Sequence, residues 1–161
     1  MRRQLIAACL LLLSATPVLA GQRLALLPVE LDNTSMEPTR PDETARVDLL
    51  DQVMTTRFTE VGFEVVDPAP IAQELAGLSS LRACNSCEVA LGRKLGADLV
   101  AIAWVQKVSN LILNLNLSVR DTATGNLVAA GSVDIRGNTD ESWRRGGIYL
   151  IDRRILPRLQ N

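Results

Sequence analysis

Residues 98–136 have the sequence DLVAIAWVQKVSNLILNLNLSVRDTATGNLVAAGSVDIR, and this stretch decides the fold. It contains three runs rich in valine, leucine and isoleucine that are separated by turn residues, a pattern typical of β-strands. The predicted strands are Asp98–Val108, Leu111–Arg120 and Leu127–Arg136. Ser109-Asn110 is a two-residue hairpin connection, and Gly125 is the bulge glycine of the second turn. The stretch therefore predicts an antiparallel meander of three strands.

The region before the meander predicts a β-α-β unit. Arg23–Leu31 is an apolar run that indicates a buried strand, and Asp32–Pro41 consists of turn residues typical of an exposed loop. Apolar residues recur at three- and four-residue steps over Asp42–Val61, which predicts a helix capped by Asp42 and ended by Gly62. Phe63–Asp67 is the next strand. A strand–helix–strand connection of this kind is right-handed by default.

Three more helices complete the predicted domain. Two are short, Ile71–Ala76 and Cys87–Leu95, and Gly96 ends the second in a left-handed conformation. Asn138 and Glu141 have the spacing of a capping box, which opens a last helix running to about Leu156. The order β-α-β-α-α-β-β-β-α predicts a single α/β domain over residues 21–161, with a mixed sheet packed with helices.

The meander also predicts a polar face on the sheet. With a two-residue turn, Val108 lies opposite Leu111 and Trp104 opposite Leu115, and this face belongs to the core. The other face collects small and amide side chains, namely Ala101, Ala103, Val105, Asn114, Asn116, Ser118, Ala130, Ser132 and Asp134. Such a face fits open solvent, a closely packed helix or a shallow binding surface. This grouping depends on the register, because a slip of one residue moves every side chain of a strand to the opposite face.

Residues 136–147 form the densest polar run of the chain, RGNTDESWRRGG. Its arginines are suited to an anionic partner, since arginine binds carboxylate and phosphate groups bidentately. The alternative is a solvated helix face whose apolar side directs Trp143 and Ile148 to the core. Gly146-Gly147 inside a helix costs roughly 1 kcal/mol per glycine relative to alanine, so close packing or a ligand near the backbone should explain it.

Cys84 and Cys87 form a CNSC motif, and we expect them to be joined by a disulfide bond in an oxidising compartment. One interpretation is a small staple at a helix start, worth about 2 kcal/mol. The other is a thiol–disulfide exchanger, because a helix N-terminus lowers the pKa of the first thiol. A metal site would need two further soft ligands, and we expect none.

The first twenty residues predict export. Arg2 and Arg3 precede the apolar run Leu5–Leu13, and Val18-Leu19-Ala20 offers small residues for cleavage after Ala20. The run is shorter than the roughly twenty residues that span a bilayer. Cys9 follows a lipobox-like Ile6-Ala7-Ala8, but the apolar run continues beyond it, so we expect a soluble periplasmic protein rather than a lipoprotein.

Composition excludes several function classes. Residues 21–161 carry 15 basic and 18 acidic side chains, a net charge of −3, which disfavours nucleic acid as a partner. The chain has no histidine, so Ser-His and Cys-His nucleophile pairs and the commonest zinc ligand are excluded. Aromatic residues make up 3% of the chain, too few for a stacking platform. We therefore expect a protein that is not an enzyme and holds no cofactor.

The stretch from Cys84 to Tyr149 resembles a family of short secreted proteobacterial proteins known as a domain of unknown function. The segments VQKVSNLIL and DIRGNTDESW carry the resemblance most specifically. The helix–Leu-Gly-Ala-Asp–strand pattern and the D-x-x-T-G turn are more distantly similar to the amino-terminal domain of TolB, the curli-secretion lipoprotein and the penicillin-binding-protein activator lipoproteins. That likeness implies a TolB-like fold and a non-enzymatic envelope protein that binds other proteins.

The leading hypothesis is a periplasmic accessory or adaptor protein that binds an envelope protein partner. Its candidate partner or ligand surface comprises Asn114, Asn116, Ser132, Asp134, Arg136, Asn138, Arg144 and Arg145. A thiol–disulfide redox protein using Cys84 and Cys87 is the first alternative. A binder of small anions near Gly146-Gly147 is the second.

Overall fold

The structure is a computed structural model that describes residues 21–160, so the predicted export signal and Cys9 lie outside the described residues. Six strands form one mixed sheet: β1 (Arg23–Leu26), β2 (Glu30–Asn33), β3 (Glu64–Val65), β4 (Leu99–Lys107), β5 (Ile112–Asp121) and β6 (Leu127–Arg136). The order across the sheet is β3-β1-β4-β5-β6, and β2 pairs with β4 beyond the end of β1. The predicted mixed sheet with an antiparallel meander is confirmed.

The helices occupy the predicted places in the chain. They are α1 (Pro41–Glu60), α2 (Ala72–Ala76), α3 (Cys87–Lys94), α4 (Asp140–Leu150) and α5 (Leu156–Leu159). A single 3₁₀ turn (Ala69–Ile71) precedes α2, and a π-helical turn (Ile151–Ile155) joins α4 to α5. Arg40 rather than Asp42 is the N-cap of α1, because Pro41 occupies the first helical position, where its missing N–H costs nothing.

The first predicted strand is broken into two. Pro28 cannot donate a ladder hydrogen bond, and the pairing with β4 is interrupted around it. On either side of the break, β1 pairs in parallel with Leu99–Ala101 and β2 pairs in parallel with Trp104–Lys107. The predicted strand Phe63–Asp67 shortens to β3, which pairs in parallel with β1. Helix α1 therefore connects two parallel neighbours, as the β-α-β pattern predicted.

The register between β4 and β5 differs by one residue from the prediction. Trp104 lies opposite Asn116 rather than Leu115, because the connection is the three-residue loop 109–111 instead of the two-residue turn. The Ser109 hydroxyl accepts hydrogen bonds from the amides of Leu111 (3.2 Å) and Ile112 (3.1 Å), which stabilises the longer loop. The β5–β6 register is as predicted, with Asn114 opposite Asp134 and Asn116 opposite Ser132.

The corrected register exchanges the two faces of β4. Ala101, Ala103 and Val105 join the core with the leucines of β5, and Ile102, Trp104 and Gln106 share the polar face with Asn114 and Asn116. The predicted polar residues of β5 and β6 do share one face of the sheet. The prediction that Ala101, Ala103 and Val105 of β4 lie on that face is wrong.

Helices cover the two faces of the sheet unequally. On one face α1 and α4 bury the main core, which includes Leu50, Phe58 and Trp143. On the other face a smaller core gathers α3 and the segment before it over β1 and β4, around Ile71, Val89 and Val100. The second face of β5 and β6 keeps side chains that are half-buried or exposed.

The start of α4 corrects the predicted capping box. Thr139 is the N-cap, and its hydroxyl accepts a hydrogen bond from the Ser142 amide at 3.3 Å. Close packing explains the glycine pair: a Cβ on Gly147 would lie 2.7 Å from Leu50 Cδ1, and a Cβ on Gly146 would lie 3.2 Å from Ile135 Cγ1. Small residues at these positions let α4 approach both α1 and β6 closely.

Candidate functional site

A groove of about 730 Å³ runs between the C-terminal half of β6 and the helical segment that follows it. The sheet side of the groove is lined by Asn114, Ser132, Val133, Asp134, Ile135 and Arg136. The helical side is lined by Ser142, Arg145, Gly146, Tyr149 and Arg154. We call this feature the arginine groove. It brings together five of the predicted surface residues, namely Asn114, Ser132, Asp134, Arg136 and Arg145.

Hydrogen bonds order the polar residues on the sheet side. Asn114 Nδ2 donates to Asp134 Oδ1 at 2.9 Å, and the Ser132 hydroxyl donates to Asn114 Oδ1 at 2.8 Å. Asn116 lies beside them on the same face and donates to the backbone carbonyl of Asn114 at 3.3 Å. These contacts hold Asn114 in one orientation, so the groove presents a fixed polar wall.

The three arginines of the groove have no acidic partner among the described residues. Arg136, Arg145 and Arg154 are exposed, and none of them lies within 4.0 Å of a carboxylate of residues 21–160. Tyr149, also in the groove, is 47% exposed. The groove thus combines free guanidinium groups with an accessible aromatic ring, two side-chain types that are enriched at protein interfaces.

The arginines of residues 21–135, in contrast, all have internal partners. Between residues 21 and 135, six arginines each form an ion pair with a carboxylate: Arg23, Arg40, Arg46, Arg57, Arg82 and Arg120. The seventh, Arg93, donates to the backbone carbonyl of Ala123 at 3.1 Å. By sequence, residues 21–135 carry a net charge of −6, whereas residues 136–161 carry six arginines and three acids, a net charge of +3.

Asn138, a predicted surface residue, belongs to a buried polar cluster instead. Its amide nitrogen donates to Glu43 Oε1 at 2.7 Å, and its oxygen accepts from the indole nitrogen of Trp143 at 3.0 Å. Arg46 also donates to the Asn138 oxygen, at 3.3 Å. Both polar atoms of this half-buried amide are hydrogen-bonded within the protein, and Asn138 does not line the arginine groove, so its role in binding a partner stays a prediction.

The centre of this cluster is the ion pair between Glu43 and Lys107. Both side chains are fully buried, and Lys107 Nζ lies 2.7 Å from Glu43 Oε1. Burial raises the pKa of the Glu43 carboxyl, but the Lys107 ammonium, the Arg40 amide and the Asn138 amide outweigh it and hold the pKa below its ordinary value. The carboxylate is therefore charged, and the cluster fastens α1 to β4 and to the start of α4.

Arg144 is also placed away from the arginine groove. It lines a separate groove of about 330 Å³ between α1 and α4, together with Arg57 and Glu60. Its neighbour Arg145 faces β6, because consecutive residues of a helix point in directions about 100° apart. The predicted surface is consequently divided into the arginine groove, the buried cluster and the α1–α4 groove.

The CNSC motif forms the expected disulfide bond between Cys84 and Cys87 at the start of α3. Asn85 and Ser86, between the two cysteines, have positive φ angles of 57° and 68°. Glu88 is buried, and its Oε2 lies 3.8 Å from Cys84 Sγ while its Oε1 pairs with Arg120 at 3.0 Å. Within residues 21–160, one group of three side chains of metal-binding type lies close together, and it consists of Cys84, Cys87 and Glu88. Its two sulfur atoms are joined to each other in the disulfide bond.

Sequence reasoning missed Tyr149 and Arg154 in the arginine groove. Tyr149 follows Arg145 by four residues, which places both on one side of a helix, so a sequence signal was available. Arg154 follows by nine residues, which an uninterrupted α-helix would place on the opposite side. The π-helical turn Ile151–Ile155 has more residues per turn and rotates Arg154 toward β6, where its Cβ lies close to Gly131. No local pattern indicates that turn.

Sequence reasoning also missed the Glu43–Lys107 pair. The two residues are 64 positions apart in the chain, and neither lies in a pattern that points to the other. Only the packing of α1 against the end of β4 brings them together.

Comparisons with known proteins identify the family. The family model described as "Protein of unknown function (DUF2380)" matches residues 22–155, and the chain belongs to this family. No curated protein matches the chain. The resemblance to a family of unknown function that the sequence indicated is confirmed.

Solved structures confirm the fold. The C-terminal domain of LpoB from Salmonella enterica is similar to this chain with a TM-score of 0.54 and 18% identity, covering 74% of this chain and 86% of that one. Lipoprotein GNA1162 from Neisseria meningitidis gives 0.53 and 14%, covering 73% and 82%. A PelC dodecamer from Paraburkholderia phytofirmans gives 0.51 and 13%, covering 91% and 94%. Among residues 21–160, no helix is long and apolar enough to span a membrane.

Proposed function

We propose that this protein is a non-enzymatic accessory protein of the cell envelope, which binds another envelope protein through the arginine groove. The observation that carries the proposal is the set of free arginines in the groove. Arg136, Arg145 and Arg154 are exposed and unpaired within the described chain, whereas the arginines of residues 21–135 are occupied by internal partners.

Unpaired arginine side chains repel each other and offer hydrogen-bond donors to an anionic ligand. A guanidinium group presents five donors in a rigid fork, and it binds carboxylates bidentately. Three such groups around one groove repel each other unless an anionic ligand neutralises them. Hydrogen bonds among Asn114, Asp134 and Ser132 already fix the opposite wall of the groove. Binding of a partner therefore costs little conformational entropy in these side chains. These features suit recognition of an acidic protein surface.

The non-enzymatic part of the proposal is supported by the groups that line the groove. The chain has no histidine, and the one carboxylate in the groove, Asp134, accepts a hydrogen bond from Asn114. Neither serine of the groove contacts a general base: Ser132 donates to Asn114, and Ser142 donates to the carbonyl of Arg136 at 3.0 Å. Nucleophilic catalysis needs a nucleophile and a general base within hydrogen-bond distance of each other.

The periplasmic location is supported by the predicted export signal at residues 1–20 and by the cysteine pair. A disulfide such as Cys84–Cys87 persists in an oxidising compartment and is rare in the cytoplasm. Lipoprotein GNA1162, which has a similar fold, supports an envelope protein by analogy.

Site-specific photocrosslinking in living cells tests the proposal. A photoreactive amino acid replaces Tyr149 or Ser132 in the arginine groove, and Glu64 on β3 serves as the matched exposed control. We expect discrete adducts with one envelope protein from both groove positions and none from Glu64. The proposal is overturned if the groove positions yield no adduct, or if Glu64 yields the same adduct with equal efficiency.

A second candidate function is thiol–disulfide exchange at the CNSC motif. The observation that favours it is Glu88, a buried carboxylate 3.8 Å from Cys84 Sγ, which could accept a proton from a thiol of the reduced pair. Measurement of the reduction potential separates the two functions. A structural bridge is expected to have a potential below about −300 mV, and a higher value would support exchange.

A further inference from the structure

The sheet ends in a long strand whose outer edge is free. Among the described residues β6 pairs only with β5, although it is ten residues long. The Asp121 amide also donates to the Asn126 carbonyl in the turn before β6. At the last residue of β6, the Ser142 hydroxyl donates to the Arg136 carbonyl. A row of backbone N–H and C=O groups is thus available along β6.

Natural sheets protect such edges, and β6 lacks two of the usual devices, proline and lysine. Edge strands are kept very short, or carry proline, lysine or an internal bulge that prevents pairing with another chain. The opposite edge of this sheet follows the rule, since β3 has two residues. The sequence of β6, LVAAGSVDIR, contains no proline and no lysine, and its charged residues, Asp134 and Arg136, both lie in its C-terminal half. Its one register shift lies at its start, opposite Val119 and Arg120, so Ala129–Arg136 is continuous.

The arginine groove wraps around this same edge. It is lined from one face of β6 by Ser132 and Asp134 and from the other face by Val133 and Ile135, with Arg145 and Tyr149 of α4 alongside. Farther along the strand, Leu127 and Val128 are 53% and 37% exposed. The free backbone edge, three unpaired arginines and two exposed apolar side chains therefore all lie on or beside β6.

We infer that β6 takes up an extended acidic segment of the partner protein as an added strand, with the carboxylates of that segment on Arg136, Arg145 and Arg154. This inference rests on the proposed function and names the chemistry and the binding mode of the partner. Main-chain hydrogen bonds to β6 provide affinity, and alternate side chains provide specificity, as in other cases of strand addition. Arg145 and Arg154 select acidic residues on the side of the added strand that faces the helical segment, and Arg136 selects one at the end of β6.

The test uses a synthetic peptide as the probe, acetylated and amidated TEVEVEVT, titrated calorimetrically into the full protein. The control peptide TKVKVKVT has the opposite charge and the same length. Two further versions of the acidic peptide carry N-methyl groups on alternate residues, each blocking one edge of the added strand. We expect the acidic peptide to bind, one N-methylated version to bind at least ten-fold more weakly, and the other to bind like the parent. Amide exchange should slow in residues 131–136 on binding.

Matched protein variants locate the peptide. The double variant Arg136→Glu/Arg145→Glu should weaken binding of the acidic peptide at least ten-fold. The double variant Arg144→Glu/Arg153→Glu makes the same charge change on exposed arginines outside the arginine groove and should leave the affinity unchanged.

Each other outcome overturns the inference. Equal binding of TEVEVEVT and TKVKVKVT, no binding of TEVEVEVT, or indifference to both N-methylated versions excludes addition of an acidic strand. A stable dimer of the free protein that Arg136→Glu dissociates would show that a second copy occupies β6 instead. If groove photocrosslinks persist while the peptide experiments fail, the proposed function stands and the added strand alone is wrong.

Discussion

The buried cluster around Glu43 and the arginine groove are two polar regions that lie on either side of the start of α4, and they differ in how their charges are satisfied. In the cluster, Glu43 and Lys107 are fully buried and neutralise each other at 2.7 Å. In the groove, Arg136 and Arg145 are exposed and have no carboxylate partner within residues 21–160. The comparison indicates that the cluster serves stability, whereas the groove is available for binding.

The largest effect is expected from breaking the buried ion pair. Glu43→Gln removes the charge that compensates Lys107, and an unpaired buried charge costs about 3–5 kcal/mol. Urea denaturation should show this loss in the free energy of unfolding. The matched control is Glu37→Gln, whose carboxylate lies 3.8 Å from Lys107 Nζ but is 58% exposed, and it should change stability by less than about 1 kcal/mol. Similar losses in the two variants would contradict the structural role of Glu43.

The same ion pair gives the protein an acid-sensitive component. Because the folded-state pKa of Glu43 lies below its ordinary value of 4.5, its contribution is complete above that value and is lost as the pH falls through the folded pKa. Unfolding curves measured between pH 7 and pH 2 should therefore show a larger loss of stability in wild type than in Glu43→Gln, which keeps only the other carboxyls of lowered pKa, such as those of Asp42 and Asp121. Parallel pH profiles would show that Glu43 is not linked to folding.

The next effect concerns the packing of the C-terminal helical segment on β6. A Cβ on Gly131 would lie 2.6 Å from Arg154 Cβ and 3.0 Å from Leu150 Cδ1. Arg154 Cβ is held by the helix backbone, so Gly131→Ala forces the segment away from the strand and should cost about 1–3 kcal/mol. Ala130→Ser, on the opposite face of the same strand, is the control. A Gly131→Ala variant as stable as wild type would show that the segment moves freely.

The disulfide bond is expected to have a smaller effect that is confined to its own region. Replacement of Cys84 and Cys87 by serine opens a loop of four residues and should lower the free energy of unfolding by about 2 kcal/mol. Binding at the arginine groove should not change, because the disulfide lies at α3 on the other part of the sheet. A loss of partner binding in this variant would favour the thiol–disulfide function.

The smallest effect is a gain in stability at Asp51. Burial raises the pKa of this carboxyl, the nearby Asp48 adds to the increase, and a weak contact of 3.4 Å from the Val29 amide opposes it. The charged form is thus disfavoured in the folded protein, and its stability cost appears as the pH rises through the folded pKa. Asp51→Asn should stabilise the protein at pH 7, and the gain should vanish below about pH 4, near the ordinary pKa of an aspartate. Thermal unfolding at both pH values measures it, and equal melting temperatures at pH 7 would contradict it.

The sequence predicts the architecture because the patterns that indicate it are local. The three meander strands follow from apolar runs between turn residues, and Gly96 has the predicted left-handed conformation, with a φ angle of 66°. The β5–β6 register, and with it the polar face of Asn114 and Ser132, also follows from the strand pattern, although the bulge lies opposite Val119 and Arg120 and Gly125 belongs to the turn, with a φ angle of 76°. These features depend on residues close together in the chain.

The features that the sequence does not predict depend on tertiary contacts or on small choices of loop length. The β4–β5 register changes with a single loop residue, which the Ser109 hydroxyl selects by bonding two amides. Lys107 is buried at the end of a strand only because Glu43 of α1 lies beside it. Asn138 accepts a hydrogen bond from Trp143 in the same cluster, so a residue expected at the surface is half-buried and has internal partners.

The most direct test of the account measures stability and partner capture together in one pair of variants. Arg136→Glu/Arg145→Glu changes the arginine groove, and Arg144→Glu/Arg153→Glu makes the same charge change elsewhere on the helical segment. We predict that both unfold within about 1 kcal/mol of wild type, since exposed charges without partners contribute little to folding. Only the first should fail to capture the envelope partner that wild type captures. Equal capture by the two variants would contradict the claim that the groove is the binding surface.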